Sequence, residues 1–454
     1  MDGGRSQGRI LIGALATAVF AVVGVLPAGA HGIGGRTDLP VPLTYFLTGG
    51  AVVLIVSFGA LAALWPDPRL QDEPELRPLT VPGFRFLTTV AGGVGALGLA
   101  IVIAAGIVGI NNSARNPASV LVWVGFWLVI PFASAVFGNL YRFMNPWWRV
   151  SEWIGIGVDE VEGPDRGVWA AGGLFFAFTW FELVFPDSGE PRTVAALAIG
   201  YTLIMFLSID RMGRSRALGT VDAFTVYNGL FSAISPFTTT PDGRLARRGW
   251  LRGLPTYPER PGLAAFLVLM IGTVTFDGVS ATPWYSDTFG SFGGSLLGGT
   301  LVMIVVVSLV GLGYGWASRV AANIGGDGWT ASQVASLYAH TLVPIAFAYA
   351  FAHYFTLVLF EGQLIISTIS DPLGTGLDLF GTAGRRIDYT LMSPTGVWYV
   401  QVAAIILGHV AAVVLAHDRA LADFPAGVAV KTQYAMLVLM VALTGVGLTI
   451  LAAG

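Results

Sequence analysis

SQVASLYAHTLVPIAFAYAFAHYFTLVLFEGQ, residues 332–363, decides the fold class of this chain. The stretch is almost wholly apolar and long enough to cross a bilayer, for which a helix needs ~20 apolar residues. It nevertheless contains His340 and His353, with Glu361 near its end. Ionisable groups inside a membrane segment are costly and face a protein interior or a cavity. We therefore expect this helix to carry a functional site.

The composition of the 454-residue chain places it in a membrane. Hydrophobic residues make up 54% and charged residues only 11%, against ~25% charged in soluble domains, which excludes a soluble enzyme. The chain has no cysteine, which excludes disulfides, thiolate metal sites and iron–sulfur clusters. A net charge of −3 offers no basic excess for binding nucleic acid.

Apolar segments of spanning length recur along the chain and predict an all-α, polytopic integral membrane helix bundle. We expect a single transmembrane helical domain over 31–454, embedded in the plasma membrane. Basic residues concentrate in alternate loops, which predicts that those loops are cytoplasmic and that the mature N-terminus is extracytoplasmic. The predicted spans, about ten in number, are 42–65, 84–110, 118–140, 167–186, 192–209, 262–281, 293–317, 332–360, 396–417 and 432–452.

Residues 1–30 have the parts of a secretory signal: two arginines, an apolar run and the small-residue triplet AGA at 28–30. This pattern predicts a cleaved signal peptide, although the apolar run is also long enough for an uncleaved anchor. Cleavage after Ala30 would make His31 the first residue. Its amine and imidazole nitrogen would then form a chelate suited to copper(II).

Two segments between spans have a pattern of their own. In the loop 210–261, apolar residues recur at helical spacing near 220–236, which predicts an amphipathic helix lying on the cytoplasmic membrane surface. The extracytoplasmic loop 361–395 is longer than most connections, and such loops act as lids or binding surfaces.

Acidic and histidine side chains are predicted at the same depth in the outer half of the bilayer. Glu182, Asp277 and His353 lie in three different spans, and His31 would join them from the N-terminus. Carboxylates with histidine are ligands for a divalent metal such as zinc, copper or iron, and they serve equally as a general acid/base pair. The alternative is that each group makes an isolated contact between helices.

A second pair is predicted nearer the cytoplasm. The rise of ~1.5 Å per residue places His340 and His409 at roughly the same depth in successive antiparallel spans. Two such imidazoles can be the axial ligands of a haem, or each can make an isolated hydrogen bond between helices. The fifth histidine, His417, stands beside Asp418 at the cytoplasmic end of its span, where we expect it to be solvated.

Five stretches of the chain resemble a family of actinobacterial polytopic membrane proteins carried under the label fenitrothion hydrolase. The resemblance covers nearly the whole chain and implies a membrane-bound hydrolase of organophosphate esters. It assigns a role to no individual residue. The stretches are AHGIGGRTDLPVP at 30–42, TFDG at 275–278, YAHTLVPIAFAYAFAHYF at 338–355, SDPLGTGLDLFGT at 370–382 and VWYVQVAAIILGHVAAVVLAHDRA at 397–420.

Three hypotheses follow. The first is a membrane-embedded, metal-dependent hydrolase in which Glu182, Asp277 and His353 act on an apolar, organophosphate-like ester arriving from the lipid bilayer. The second is a redox membrane protein that binds haem or copper. The third is a proton-coupled transporter whose buried acids form a proton path.

Overall fold

The structure is a computed structural model that describes residues 40–157 and 164–453. The chain divides into two compact units, and the single transmembrane domain over 31–454 stays a prediction. The predicted signal peptide and His31 lie outside the described residues. The first unit consists of Met1–Gln71, Met270–His353 and Pro394–Gly454, and the second of Asp72–Leu269 and Tyr354–Ser393.

Helices make up most of the described chain. The α-helices are α1 (Leu43–Leu64), α2 (Phe84–Val108), α3 (Pro117–Val120), α4 (Ile130–Phe137), α5 (Leu140–Met144), α6 (Pro146–Ile154), α7 (Trp169–Leu183), α8 (Pro191–Met212), α9 (Arg214–Thr220), α10 (Ala223–Ser232), α11 (Leu263–Ser280), α12 (Pro283–Gly293), α13 (Leu296–Gly325), α14 (Ala331–Tyr338), α15 (Val343–Leu359), α16 (Leu364–Ser370), α17 (Pro394–Asp423), α18 (Ala429–Thr432) and α19 (Tyr434–Ala453). A π-helix, Leu121–Val129, joins α3 to α4, and two 3₁₀ turns lie at Ala339–Leu342 and Glu361–Gln363.

The strands that the structure describes are short and belong to the second unit. They are β1 (Arg77–Pro78), β2 (Phe237–Thr239) and β3 (Leu245–Arg247), in the order β1-β3-β2 and all antiparallel. Arg77 pairs with Arg247, and Thr238 pairs with Ala246.

Among the described residues, nine helices are long and apolar enough to cross a membrane. The chain is therefore an all-α, multi-pass membrane protein, as its apolar runs predict. The predicted fourth span, 167–186, is the exception. Its helix α7 has 15 residues and a length of ~22 Å, which is shorter than the ~30 Å hydrocarbon core of a bilayer.

Each unit has its own apolar core. In the first unit, α1 packs against α17 and α19 around a buried cluster that includes Trp398, Ile405 and Leu448. In the second unit, α2 packs against α8 and α10 packs against α4. There the rings of Trp127 and Phe175 meet with their centroids 5.6 Å apart.

The segment 332–363 is helical but interrupted. Pro344 has no N–H, so the carbonyl of His340 lacks the donor that an α-helix would supply four residues on. The N–H of Val343 donates to that carbonyl instead, and the backbone tightens into the 3₁₀ turn between α14 and α15.

The segment near 220–236 also contains a helix, α10, but its position differs from the predicted one. The side chains of Phe224, Tyr227, Leu230 and Phe231 are at most 2% exposed. They pack in the interior of the second unit instead of lying on a membrane surface. Helical spacing of apolar residues marks the helix correctly but does not distinguish a lipid surface from a protein interior.

Candidate functional site

Asp277 and His353 form a pair in the first unit. Asp277 lies one turn before the end of α11, and His353 lies in α15. The His353 Nε2 atom is 2.9 Å from the Asp277 Oδ2 atom, and each side chain is 21% exposed. The two groups are therefore hydrogen-bonded to each other and still reachable from outside the protein.

A glycine allows the close approach behind this pair. A Cβ on Gly278 would lie 2.2 Å from Ile450 Cγ2 and 3.6 Å from His353 Cε1. Real Cβ atoms do not approach that closely, so a larger residue at 278 would force Ile450 or the backbone of α11 to shift. The sequence TFDG thus gives both the carboxylate and the space that lets it reach the imidazole.

A small void adjoins the imidazole of His353. Its volume is about 20 Å³, and its walls include Thr275 and Tyr349. The Thr275 hydroxyl donates to the Ile271 carbonyl at 2.8 Å, and the Tyr349 hydroxyl donates to the Leu443 carbonyl. Each oxygen keeps acceptor capacity. A void needs ~10–15 Å³ to hold one water molecule, and this one is large enough.

The structure brings Asp277 and His353 together, but it places Glu182 in α7 of the second unit. Within residues 40–157 and 164–453, no group of three or more His, Asp or Glu side chains could hold a metal ion. Catalytic zinc sites use three protein ligands, and the pair supplies two. The divalent-metal site therefore stays a prediction, and its proposed fourth ligand, His31, lies outside the described residues.

His340 and His409 are both buried in the first unit, 6% and 0% exposed. The Nδ1 atom of His409 is 2.8 Å from the Ile405 carbonyl, and the Nε2 atom of each ring has no hydrogen-bond partner among the described residues. A Cβ on Gly408 would lie 2.7 Å from the Pro344 carbonyl oxygen. This close contact of α17 with α15 counts against a haem between them, which stays a prediction.

His417 is buried, not solvated as its position at a span end suggested. It is 1% exposed, and its two ring nitrogens each lie 3.1 Å from an oxygen, Gln433 Oε1 and the Trp65 carbonyl. The Gln433 amide nitrogen donates to the Ala429 carbonyl, which fixes the orientation of that amide. Both oxygens are acceptors, so whichever ring nitrogen carries a proton can donate to the oxygen beside it.

Asp418 adjoins His417 and holds the segment after α1. Its carboxylate accepts hydrogen bonds from the Trp65 indole at 3.1 Å, from the Arg69 and Leu70 backbone N–H groups, and from the Gln71 amide at 2.7 Å. The side chain is fully buried. These two residues anchor residues 65–71 to α17.

The second unit contains a fully buried carboxylate, Asp222, that the sequence analysis did not single out. It precedes α10 as its N-cap and accepts a hydrogen bond from the Phe224 N–H at 3.1 Å. Further donors are the Tyr201 hydroxyl at 2.9 Å, the Thr225 hydroxyl at 2.7 Å, the Asn145 amide at 3.0 Å and the Tyr141 hydroxyl at 3.1 Å.

Burial raises the pKa of the Asp222 carboxyl above its ordinary value, and these hydrogen bonds limit the rise. The sequence signal for this residue is its place just before an apolar helical run, where N-cap residues stand. That signal predicts the cap but not the four side chains that converge on it.

Comparison of the chain with known protein families, with curated proteins and with solved structures finds no match.

Proposed function

We propose that this multi-pass membrane protein is a hydrolase of apolar, organophosphate-like esters, with Asp277 and His353 as its general acid/base pair. One observation carries the proposal: the 2.9 Å contact between the imidazole and the carboxylate, on helices that are both candidate membrane spans. Ionisable groups in such spans are costly to insert and mark functional sites by default.

The pair can activate a water molecule. An imidazole takes a proton from water while the carboxylate beside it stabilises the imidazolium that forms. The void of about 20 Å³ beside His353 has room for that water. The hydroxide attacks the phosphorus, the bond from phosphorus to the leaving oxygen breaks, and the imidazolium returns the proton to that oxygen.

The surroundings favour an apolar substrate. The void itself is too small for an ester, so the substrate must reach the pair from the side on which both groups are 21% exposed. The helices that carry the pair are apolar and lie in a lipid environment. A substrate dissolved in the bilayer would meet the pair without crossing bulk water.

A second candidate function uses the same pair. Paired His and Asp side chains inside membrane spans are also the parts of a proton relay, and the void beside His353 has room for a water in that relay. The protein would then be a proton-coupled transporter.

The experiment uses the full-length protein in liposomes with a chromogenic dialkyl nitrophenyl phosphate. We expect Asp277→Asn and His353→Gln each to lower kcat by ~10²–10⁴-fold, the usual contribution of a general base. Asp287→Asn is the matched control, because Asp287 is an exposed aspartate in the next helix of the same unit. Its kcat should equal that of the wild type.

Two results would reject the hydrolase. One is wild-type turnover in Asp277→Asn. The other is a wild-type protein that hydrolyses neither phosphate triesters nor carboxylic esters. A pH-sensitive dye inside the same liposomes reports proton flux. Flux that is lost in Asp277→Asn, without any hydrolysis, would support the transporter instead.

A further inference from the structure

The second unit contains a partly open cavity of about 340 Å³. Its walls come from α2, the π-helix Leu121–Val129, α4, α5, α6, α7, α8 and α10, with Ile365 of α16. Small-molecule sites have volumes of ~300–1,000 Å³, and an apolar cavity of ~150 Å³ is enough to bind benzene. This cavity therefore has the size of a ligand site.

The π-helix gives the cavity one of its walls. The N–H of Ile130 donates to the Gly125 carbonyl five residues back, which is the wide π spacing. Such segments are rare and lie frequently at functional sites. A Cβ on Gly125 would meet nothing closer than 3.7 Å, so a side chain there would be in ordinary van der Waals contact with the wall.

The polar atoms that line the cavity are bonded elsewhere. The Tyr141 and Tyr201 hydroxyls donate to Asp222, and the Trp147 indole N–H donates to the Thr202 hydroxyl at 3.1 Å. The remaining lining side chains are aliphatic, aromatic or Met144, and none is charged. A ligand with a phosphoryl or carboxylate group would lose its hydration here without gaining donors.

We propose that this cavity binds the hydrocarbon chain of a membrane lipid. Its walls α2 and α8 are candidate membrane spans that are only 22% and 28% buried within the protein, so their other faces lie against lipid. Acyl chains are the most concentrated apolar molecules there, and occupancy follows concentration. The lining residues do not include Asp277 or His353, and the inference does not depend on the hydrolase proposal.

Photolabelling tests this assignment. The protein is reconstituted with a phospholipid that carries a diazirine in its acyl chain, illuminated, and digested for mass spectrometry. We expect adducts on the lining residues of α2, the π-helix and α8 above the level on lipid-exposed faces. Adducts spread evenly over the exposed faces of the spans would overturn the proposal.

Filling the cavity gives a second arm. Gly98 lines the cavity, and a Cβ there meets nothing within 4 Å. Gly98→Leu should lower the cavity adducts by roughly tenfold, as expected when a few methylene groups are displaced. Gly93→Leu is the matched control: it lies on the same helix with equal free space but outside the cavity, and it should label as the wild type does.

Further outcomes decide the remaining cases. If Gly98→Leu does not fold, Gly125→Leu fills the same cavity from the π-helix. The positions of the adducts on the wild-type protein test the proposal without any variant. If Gly98→Leu or Gly125→Leu folds and its cavity is labelled by the phospholipid as strongly as that of the wild type, the proposal is wrong. A short alkyl diazirine without a headgroup is run in parallel. If it labels the cavity and the phospholipid does not, the lipid is rejected as the occupant.

Discussion

Replacing Asp222 by asparagine tests whether this carboxylate holds the second unit together. The substitution keeps the shape of the side chain but turns one acceptor oxygen into an NH₂ donor. If that NH₂ takes the place of Oδ1, it faces the Phe224 backbone N–H, which is 3.1 Å from that oxygen. A backbone N–H cannot accept a hydrogen bond, so the two donors oppose each other.

The other orientation is no better. An NH₂ in place of Oδ2 faces the Asn145 amide nitrogen at 3.0 Å, which is also a donor. That amide cannot turn over freely, because its oxygen caps α6 by accepting from the Trp148 N–H at 2.9 Å. Either orientation of the new side chain therefore leaves a buried N–H without an acceptor.

The cost follows from that single unpaired group. A buried donor without a partner costs ~1–3 kcal/mol, and we take ~2 kcal/mol. In a unit of ~150–250 residues, 1 kcal/mol shifts the melting temperature by ~2–4 °C. Asp222→Asn should therefore lower the melting temperature of the protein by roughly 4–8 °C.

The assay is thermal unfolding of the detergent-solubilised protein, followed by intrinsic tryptophan fluorescence at one fixed scan rate. The control is Asp242→Asn in the same unit, whose side chain is 56% exposed beside Arg244, because an ion pair between exposed side chains adds little to stability. If the melting temperatures of Asp222→Asn and Asp242→Asn both equalled that of the wild type, the hydrogen-bond argument would be refuted.

Two smaller predictions concern the other polar contacts. His417→Phe removes both contacts of the ring and leaves a buried acceptor without its donor, which should cost ~1–3 kcal/mol and lower the melting temperature. Leu407→Phe, at a 66% exposed site of the same helix, should not lower it. The hydrogen bonds from Arg260 and then from the Gly167 N–H lower the pKa of Asp165 to about 2, below the ~3.9 of an unfolded chain. The stabilisation is therefore complete above pH ~4 and is lost as the pH falls towards the folded-state pKa. Asp165 is 53% exposed, so Asp165→Asn should cost only ~0.2–1 kcal/mol at neutral pH, and wild type and variant should converge in a urea titration at pH ~2 or below; a difference unchanged at that pH would contradict the ion pair.

The sequence predicted the fold class because spanning length and hydropathy are local properties. The predicted span 167–186 is longer than α7, since apolar residues continue past the end of the helix at Leu183. The depth of a residue also follows from sequence, through the rise per residue. This placed Asp277 and His353 at one level without giving the rotation of either helix.

Rotation and partners depend on packing, which the sequence does not display. The donors on Asp222 come from positions up to 81 residues away, and no spacing rule joins them. The partners of His417 could not be predicted from the sequence either. It stands among charged residues at a span end, yet the chain after α1 returns to cover it, and Trp65 and Gln433 become its partners.

Two aspartates with different surroundings give the strongest reason for assigning chemistry to the first unit. Asp222 is 0% exposed and accepts five hydrogen bonds, so it has no room for a substrate or an attacking water. Asp277 is 21% exposed beside an imidazole that adjoins a water-sized void. The same Asp→Asn change should therefore act on different quantities: at 222 it should lower the melting temperature and leave kcat of the folded protein unchanged, and at 277 it should lower kcat and leave the melting temperature unchanged. The reverse pattern would mean that burial and hydrogen bonding do not separate the structural carboxylate from the reactive one.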